Sequence, residues 1–405
     1  MYDAIVVGAR AAGSPTAMLL ARAGLKVLLV DRATFPSDTL STHQLTLSAV
    51  ARLQRWNLLD RLIASGAPPI HRLTLKLGPL TIAGGFAPLD GLSTVYAPRR
   101  TVLDKLLVDA AVEAGAELRE GYSVQRLLYD ATGRVCGIRG RSADGAGDEI
   151  RGRIVIGADG TRSQVARWAE APAYNTKPSL SYGYYAYFSG VPMDNAAQVT
   201  IGAGEAVIAS PTHGDQTIVI VQGARDGFHA FREDIEGNFY RMLALSPALN
   251  EQVRAGRRES RFFGTAELPN GFRVPYGRGW ALVGDAGYFK DPTLGHGIGD
   301  GFRDAELLAN GIITALSEGA PPEAVLPEYQ ATRDAAVMPI YELITQLASF
   351  APPQLEMVQL LAAVAQNPQA TSQFLGMLSG SVPVPAFFSP ENVGAIMADS
   401  QALAA

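Results

Sequence analysis

Residues 2–32 read YDAIVVGARAAGSPTAMLLARAGLKVLLVDR, and the fold turns on how this stretch is parsed. Asp3 to Val7 is a short, mostly apolar run of the kind buried inside a parallel sheet. Gly8 turns the chain, and apolar spacing through Ala17, Leu20 and Ala21 predicts a helix over Gly13 to Gly24. A second strand follows over Lys26 to Val30 and ends at Asp31. Strand, glycine loop, helix and strand within about thirty residues form the βαβ context that gives a glycine fingerprint physical meaning. Gly8 suits the tight turn, and Gly13 lets helix and strand pack closely. Where a middle glycine would bring the backbone up to a pyrophosphate, Arg10 stands instead. With a negative φ its Cβ can point away from the ligand and leave the guanidinium beside the phosphates. Gly8, Arg10, Ala12 and Gly13 are therefore the loop's candidate contacts. Asp31 lies eighteen residues after Gly13, where a carboxylate accepts hydrogen bonds from a ribose diol and repels a 2′-phosphate. Arg32 either stacks on an adenine or is a solvated surface arginine.

Bulk properties narrow the class. A chain of 405 residues predicts two domains or one elaborated α/β unit. The net charge of −5 gives no general attraction for nucleic acid or anionic lipid, and there is no basic stripe. No apolar run reaches the roughly 18 residues of a membrane span. The apolar start lacks a basic lead-in and reads as a strand rather than a signal peptide. Cys136 is the only cysteine, which excludes an internal disulfide and a CxxC metal site. Five scattered histidines argue against a zinc centre, so no metal is expected. A cytoplasmic α/β protein is the expectation.

Two later stretches decide the ligand. Residues 153–163, RIVIGADGTRS, are a strand entering an Asp-Gly turn. Residues 279–309, GWALVGDAGYFKDPTLGHGIGDGFRDAELLA, are a strand entering a Gly-Asp pair, then a proline, a glycine-rich loop and a helix. With these motifs in order, residues 1 to about 320 resemble the FAD-dependent oxidoreductases of the p-hydroxybenzoate hydroxylase type, the group A flavoprotein monooxygenases. The resemblance implies a Rossmann-like FAD-binding domain with a parallel sheet, an interleaved antiparallel-sheet substrate domain and a helical C-terminal tail. The corresponding division is 1–70, 98–174 and 271–320 for the FAD domain, 71–97 and 175–270 for the substrate domain, and 321–405 for the tail.

The same resemblance implies roles. The Gly8–Gly13 loop would hold the FAD pyrophosphate at a helix N-terminus, and Asp31 the adenosine ribose. Arg100 matches the arginine of the family's R-x-x-L-D pattern beside the cofactor, and Val124 lies on a strand that meets adenine through its backbone. Asp159 would bridge the FAD side and the nicotinamide path, while Asp285 would bond the ribityl chain. The loop from Pro292 through Gly295 to Ile298 would pass under the isoalloxazine, with the N–H groups of Gly297 and Ile298 facing N1 and C2=O.

Departures from the pattern also carry information. Many relatives write GDAAH where this chain has GDAGY, with Tyr288 replacing histidine. His296, in the glycine-rich loop, has two readings: a general acid or base whose pKa a nearby anionic flavin would raise, or a loop histidine bonded to backbone. Phe35 to His43, FPSDTLSTH, resembles the FP-x-D-x-x-C-G-G segment of geranylgeranyl reductases, with Ser41, Thr42 and His43 at the Cys-Gly-Gly positions. That segment should lie along the flavin, with Thr42 or His43 reaching the phosphates.

Between the second and third motifs, SYGYYAYFSG, QVTIGA, AVIASP and QTIVIV alternate as strands, which predicts an antiparallel sheet over a substrate cavity. Tyr185 and Tyr187 point to one face, and Tyr182, Tyr184 and Phe188 to the other. Either set lines a pocket or is core. The tail from about Pro321 is helical and apolar-rich, and would cap the cavity or form a homodimer contact.

The implied reaction is oxygen transfer. NAD(P)H reduces FAD, O2 reacts with the reduced flavin, and a C4a-hydroperoxide hydroxylates an apolar aromatic or polyketide-like molecule in a dry pocket. A carbon–carbon double-bond reductase of the geranylgeranyl type is the main rival. A halogenase would need a WxWxIP stretch, whereas Trp56, Trp168 and Trp280 are far apart, and Lys76 reads as solvent-facing. A flavin-binding scaffold without turnover is the remaining alternative.

Overall fold

A computed structural model describes residues 1–404. Five strands run parallel in the order Trp280–Leu282, Gly147–Gly157, Tyr2–Val7, Val27–Val30, Glu117–Arg119. The expected first strand, loop and helix stand within one or two residues, the helix spanning Gly13–Arg22. Ala4, Val6, Leu29 and Ile156 face a helical layer built from Gly13–Arg22, Arg100–Glu113 and Gly297–Ser317. Ile5, Val7, Leu28 and Val155 face the opposite way, against the antiparallel hairpin of Ser123–Tyr129 and Val135–Arg141. Both faces are therefore covered, which is why these strands read as continuous apolar runs rather than alternating ones. Each fully buried Leu or Ile here contributes about 1.5–3 kcal/mol from burial alone.

A second sheet is ordered Arg257–Arg258, Ser181–Ser189, Gln216–Ala224, Glu205–Thr212, Ala196–Gly202, Arg72–Leu77, Leu80–Gly84. Its central strands match the alternating segments read from the sequence. One pairing departs from the antiparallel expectation: Ala196–Gly202 runs parallel to Arg72–Leu77, because the strand from the earlier insertion joins at the sheet's far side.

The two faces of Ser181–Ser189 have different neighbours. Tyr182, Tyr184 and Phe188 lie in a core with Phe231, Phe239 and Met242 from the helices that follow the sheet. Tyr185 and Tyr187 look the other way, with Ile218, Ile220 and Phe263. The C-terminal helices Leu355–Gln366, Pro368–Leu378 and Pro390–Ala404 are not a loose tail. Leu360, Val364, Phe374 and Phe387 pack on Leu75 and Ile82, and against Leu47 beside the parallel domain. Among the described residues no helix is long and apolar enough to cross a membrane.

Candidate active site

The three motifs emerge side by side. Val7, Gly157 and Leu282 are neighbours in register at the carboxyl ends of three adjacent parallel strands, with Val30 beyond Val7. Chain ends in such a row open onto the crevice where α/β sheets bind ligands. The loops above them interlock closely. A Cβ on Gly8 would come within 2.4 Å of the Ala158 carbonyl oxygen, and one on Gly13 within 1.8 Å of the Gly8 carbonyl oxygen. One on Gly284 would meet the Cβ of Ala12 at 2.6 Å. First, second and third motifs thus touch through positions where only hydrogen fits.

Two helix N-termini frame this junction, and neither has a side-chain cap: Gly13–Arg22 and Gly297–Ser317. At the second, the N–H groups of Gly297, Ile298 and Gly299 are left for an outside acceptor; at the first, Ser14 donates to the Arg10 carbonyl at 3.0 Å and Pro15 has no N–H, so Gly13 offers the free donor. Gly297 is exposed, and an added Cβ would meet nothing within 4 Å. Uncapped N–H donors beside a glycine loop suit a pyrophosphate at one helix and a flavin C2=O at the other, so these residues fit FAD.

Asp31 does more than await a ribose. Its carboxylate accepts from the Ala9 N–H at 2.7 Å and from the Ala33 N–H at 2.8 Å, pinning the glycine loop to the end of the second strand. A carboxylate has about four acceptor positions, so room remains for a diol. Arg32 beside it is exposed. Val124 is half-buried on its strand, two residues beyond Tyr122, whose N–H donates to the Asp31 carbonyl at 2.8 Å.

Arg10 resolves differently from the expectation that its guanidinium lies beside the phosphates. It keeps a negative φ, as the loop demands, but its side chain turns to Asp104 at 2.6 Å and to Ser37 Oγ at 2.9 Å. Asp104 is fully buried and also accepts from Arg100 Nε at 2.9 Å. The sequence reading missed this carboxylate, although it is the Asp of the same R-x-x-L-D pattern. A buried acid needs compensating charge, and here two guanidiniums supply it.

Asp159 is engaged locally: it accepts from Ser163 Oγ at 2.5 Å and from the Gln164 N–H at 2.7 Å, at the start of the short helix Gln164–Trp168. The Asp285 carboxylate accepts from Thr161 Oγ1 at 3.4 Å, and the surrounding protein pushes its pKa up. The loop from Pro292 to Ile298 is fastened by Asp291, which sequence reasoning overlooked. Its carboxylate accepts from Ser181 Oγ at 2.6 Å, Gln222 Nε2 at 3.0 Å and the Thr293 N–H at 3.1 Å, tying the loop to the second sheet. An acid before a proline, capping a short turn that ends at left-handed Gly295, was the signal available.

His296 takes the backbone-bonded form. Its buried ring donates from Nε2 to the Leu378 carbonyl at 2.9 Å. Burial and the nearby Lys290 charge push its pKa down to about 4. Of the two readings of His296, the backbone-bonded one matches this geometry, in which the ring joins the loop to the C-terminal helices.

The segment Phe35–His43 divides at its end. Thr42 and Gln44 lie against Gly295, 3.5 Å and 2.6 Å from where its Cβ would project. His43 does not turn to the phosphates. Its fully buried ring stacks on Tyr187 with centroids 5.7 Å apart, bonds the Tyr187 hydroxyl through Nε2 and meets Tyr185 edge-on at 6.0 Å. The aromatic sheet face is its partner, and burial together with Arg100 and Arg99 pushes its pKa down to about 3. Arg99 covers the Tyr187 ring at 3.8 Å and Phe263 stacks on Tyr185 at 5.3 Å, completing a wall beside the glycine-rich loop. Arg99 also escaped the sequence reading.

Interlocked glycine turns, two uncapped helix ends and a carboxylate at the second strand define a flavin-adenine-dinucleotide-binding oxidoreductase. The chain belongs to the FAD binding domain family, whose model matches residues 1–343. It is 25% identical over 354 residues to the rifampicin monooxygenase of Streptomyces venezuelae, covering 82% of this chain and 68% of that one. It is 26% identical over 343 residues to digeranylgeranylglycerophospholipid reductase 1 of Methanococcoides burtonii, covering 81% and 78%. The solved structure of the myxobacterial chondrochloren halogenase CndH superposes with a TM-score of 0.80 at 20% identity, over 98% of this chain and 96% of that one, which shows a shared fold. The protein is an FAD-dependent oxidoreductase, and its relatives span monooxygenases, reductases and halogenases.

Proposed function

We propose that the protein is an NAD(P)H-dependent monooxygenase that hydroxylates an apolar aromatic or polyketide-like small molecule, with O2 as co-substrate. The observation that carries this reading is the wall of Tyr185, Tyr187, Phe263 and His43 beside the glycine-rich loop. Bound FAD supplies electron acceptance from NAD(P)H and delivery to oxygen. The chain's own part is to grip, orient and keep dry. Asp31 and the glycine loop hold the nucleotide half, the Gly297–Ser317 helix end offers N–H donors to the ring system, and the aromatic wall excludes water from the reacting face. The likeness to rifampicin monooxygenase is in keeping with oxygen transfer.

A double-bond reductase is the second reading, favoured by the Phe35–His43 segment and the reductase relative. Oxygen dependence separates the two. The FAD-loaded protein is offered a panel of aromatic ligands with NADH or NADPH, and products are weighed by mass spectrometry. Ligand-stimulated, oxygen-dependent oxidation of the nicotinamide with gain of one oxygen atom supports hydroxylation. Product formed equally well without oxygen and gaining two hydrogens overturns it, and a halide-dependent product overturns both.

A further inference from the structure

His43 is an unusual residue for its position. Its backbone is left-handed, with φ of 64°, a conformation that glycine adopts freely and that side chains adopt rarely. An imidazole is nevertheless held there, fully buried, between the glycine-rich loop that Thr42 and Gln44 touch and the tyrosine face. Strained residues that persist in a core point to use rather than to stability.

The ring has two nitrogens, and only one has a partner. Nε2 meets the Tyr187 hydroxyl, while Nδ1 is buried with none. Tyr187 is a neutral phenol, since burial raises its pKa, and His43 is a neutral imidazole. An imidazole nitrogen is a better acceptor than the competing Tyr185 hydroxyl and a phenol the better donor, so we assign the Tyr187 proton to Nε2 and the proton of the ring to Nδ1. Arg99 over the Tyr187 ring sharpens that donor. The outcome is an N–H donor fixed in orientation, enclosed by aromatic rings, with nothing in the protein to receive it. Arg99 and Arg100 act on the same ring from nearby, each paired in turn with a carboxylate, Asp38 and Asp104, so the site can meet a neutral carbonyl or an oxyanion.

We propose that His43 Nδ1 is the substrate-reading donor of the active site, taking a carbonyl or oxyanion oxygen attached to the aromatic ring that lies on the Tyr185 and Tyr187 wall. The proposal rests on the monooxygenase reading only in taking that wall as the substrate face. Tyr187 is then a positioning residue, since it acts by setting the tautomer of His43.

The test uses the full-length, FAD-loaded protein and three naphthalene probes: 2-acetylnaphthalene, its isostere 2-isopropenylnaphthalene and 2-naphthoate. Binding is followed by calorimetry, with retained flavin absorbance as the check on folding. A site that bonds an oxygen rejects an equally shaped hydrocarbon, so the acetyl probe should bind about ten-fold tighter than the isopropenyl probe. His43→Gly, which suits the left-handed backbone, should bring the two within about two-fold of each other. Tyr187→Phe should narrow the preference to about three-fold by releasing the tautomer. Naphthoate tighter than the acetyl probe identifies an oxyanion as the favoured group, and the reverse identifies a neutral carbonyl. Equal binding of the acetyl and isopropenyl probes to the unaltered protein, no binding of any probe, or an equal loss of both in His43→Gly overturns the proposal. Probe discrimination without oxygen-dependent nicotinamide oxidation would remove the monooxygenase reading and leave the role of His43 intact.

Discussion

The cofactor cradle and the aromatic wall are adjacent, yet they are built from different materials. The cradle is backbone: hydrogen atoms at Gly8, Gly13 and Gly284 let three loops interlock, and two uncapped helix ends supply donors. The wall is side chain: tyrosines, a phenylalanine, a histidine and an arginine drawn from segments far apart in sequence. A backbone site tolerates almost any neighbour but no added atom. A side-chain site tolerates resizing but depends on who its neighbours are.

Gly13→Val is the severest test of the first half. Branched carbon within 1.8 Å of the Gly8 carbonyl cannot be accommodated, so FAD absorbance after gel filtration should vanish. A yellow Gly13→Val protein would show that the interlock is not what holds the loops. Asp31→Ala comes next. Charge-assisted hydrogen bonds contribute about 1.5–3 kcal/mol each, so FAD should bind roughly ten- to a hundred-fold more weakly in a fluorescence titration. Because the same carboxylate pins Ala9, Asp31→Asn, which keeps one acceptor oxygen, should lose less; equal losses would separate Asp31 from the ribose.

Acid probes both halves together. His43 and His296 are neutral in the fold, with pKa values held down to about 3 and about 4, whereas in the unfolded chain each takes up a proton near pH 6.5. Stability from keeping them neutral is complete above pH 6.5 and is lost as pH falls toward 4, by about 1.4 kcal/mol per pH unit for each ring. Denaturant melts at pH 7 and pH 5 should show this, and His296→Gln should remove about half of the histidine contribution to the difference. An unchanged slope would mean that the ring is charged in the fold. Arg10→Gly has the smallest expected effect. Arg100 still compensates Asp104 and Arg10 is partly exposed, so about 1 kcal/mol of stability should be lost while FAD affinity changes little. A clear loss of FAD would return Arg10 to the phosphates.

The same division explains what the sequence revealed. Backbone constraints leave local marks, so the glycines, the first βαβ unit, the later motifs and the alternating strands could all be read in order. Side-chain partnerships between distant segments leave none. Nothing near Arg10 announced Asp104, 94 residues on, and nothing near His43 announced Tyr187, 144 residues on. The tyrosine strand showed two equal aromatic faces, and only the helices packed over Tyr182, Tyr184 and Phe188 told them apart. His296 looked reactive because its loop was recognisable, while its acceptor, Leu378, lay in a region with no motif.

That single bond from an imidazole to a main-chain oxygen ties the C-terminal helices, about the last fifth of the molecule, to the glycine-rich loop. The glycine-rich loop, proposed to lie under the ring system, cannot slide outward unless the helix ending near Leu378 follows or lets go, and that helix is wedged by Phe374 against the second sheet. Any movement of that loop would therefore involve the carboxyl-terminal bundle, and clipping off these helices would release the loop rather than merely shorten the chain.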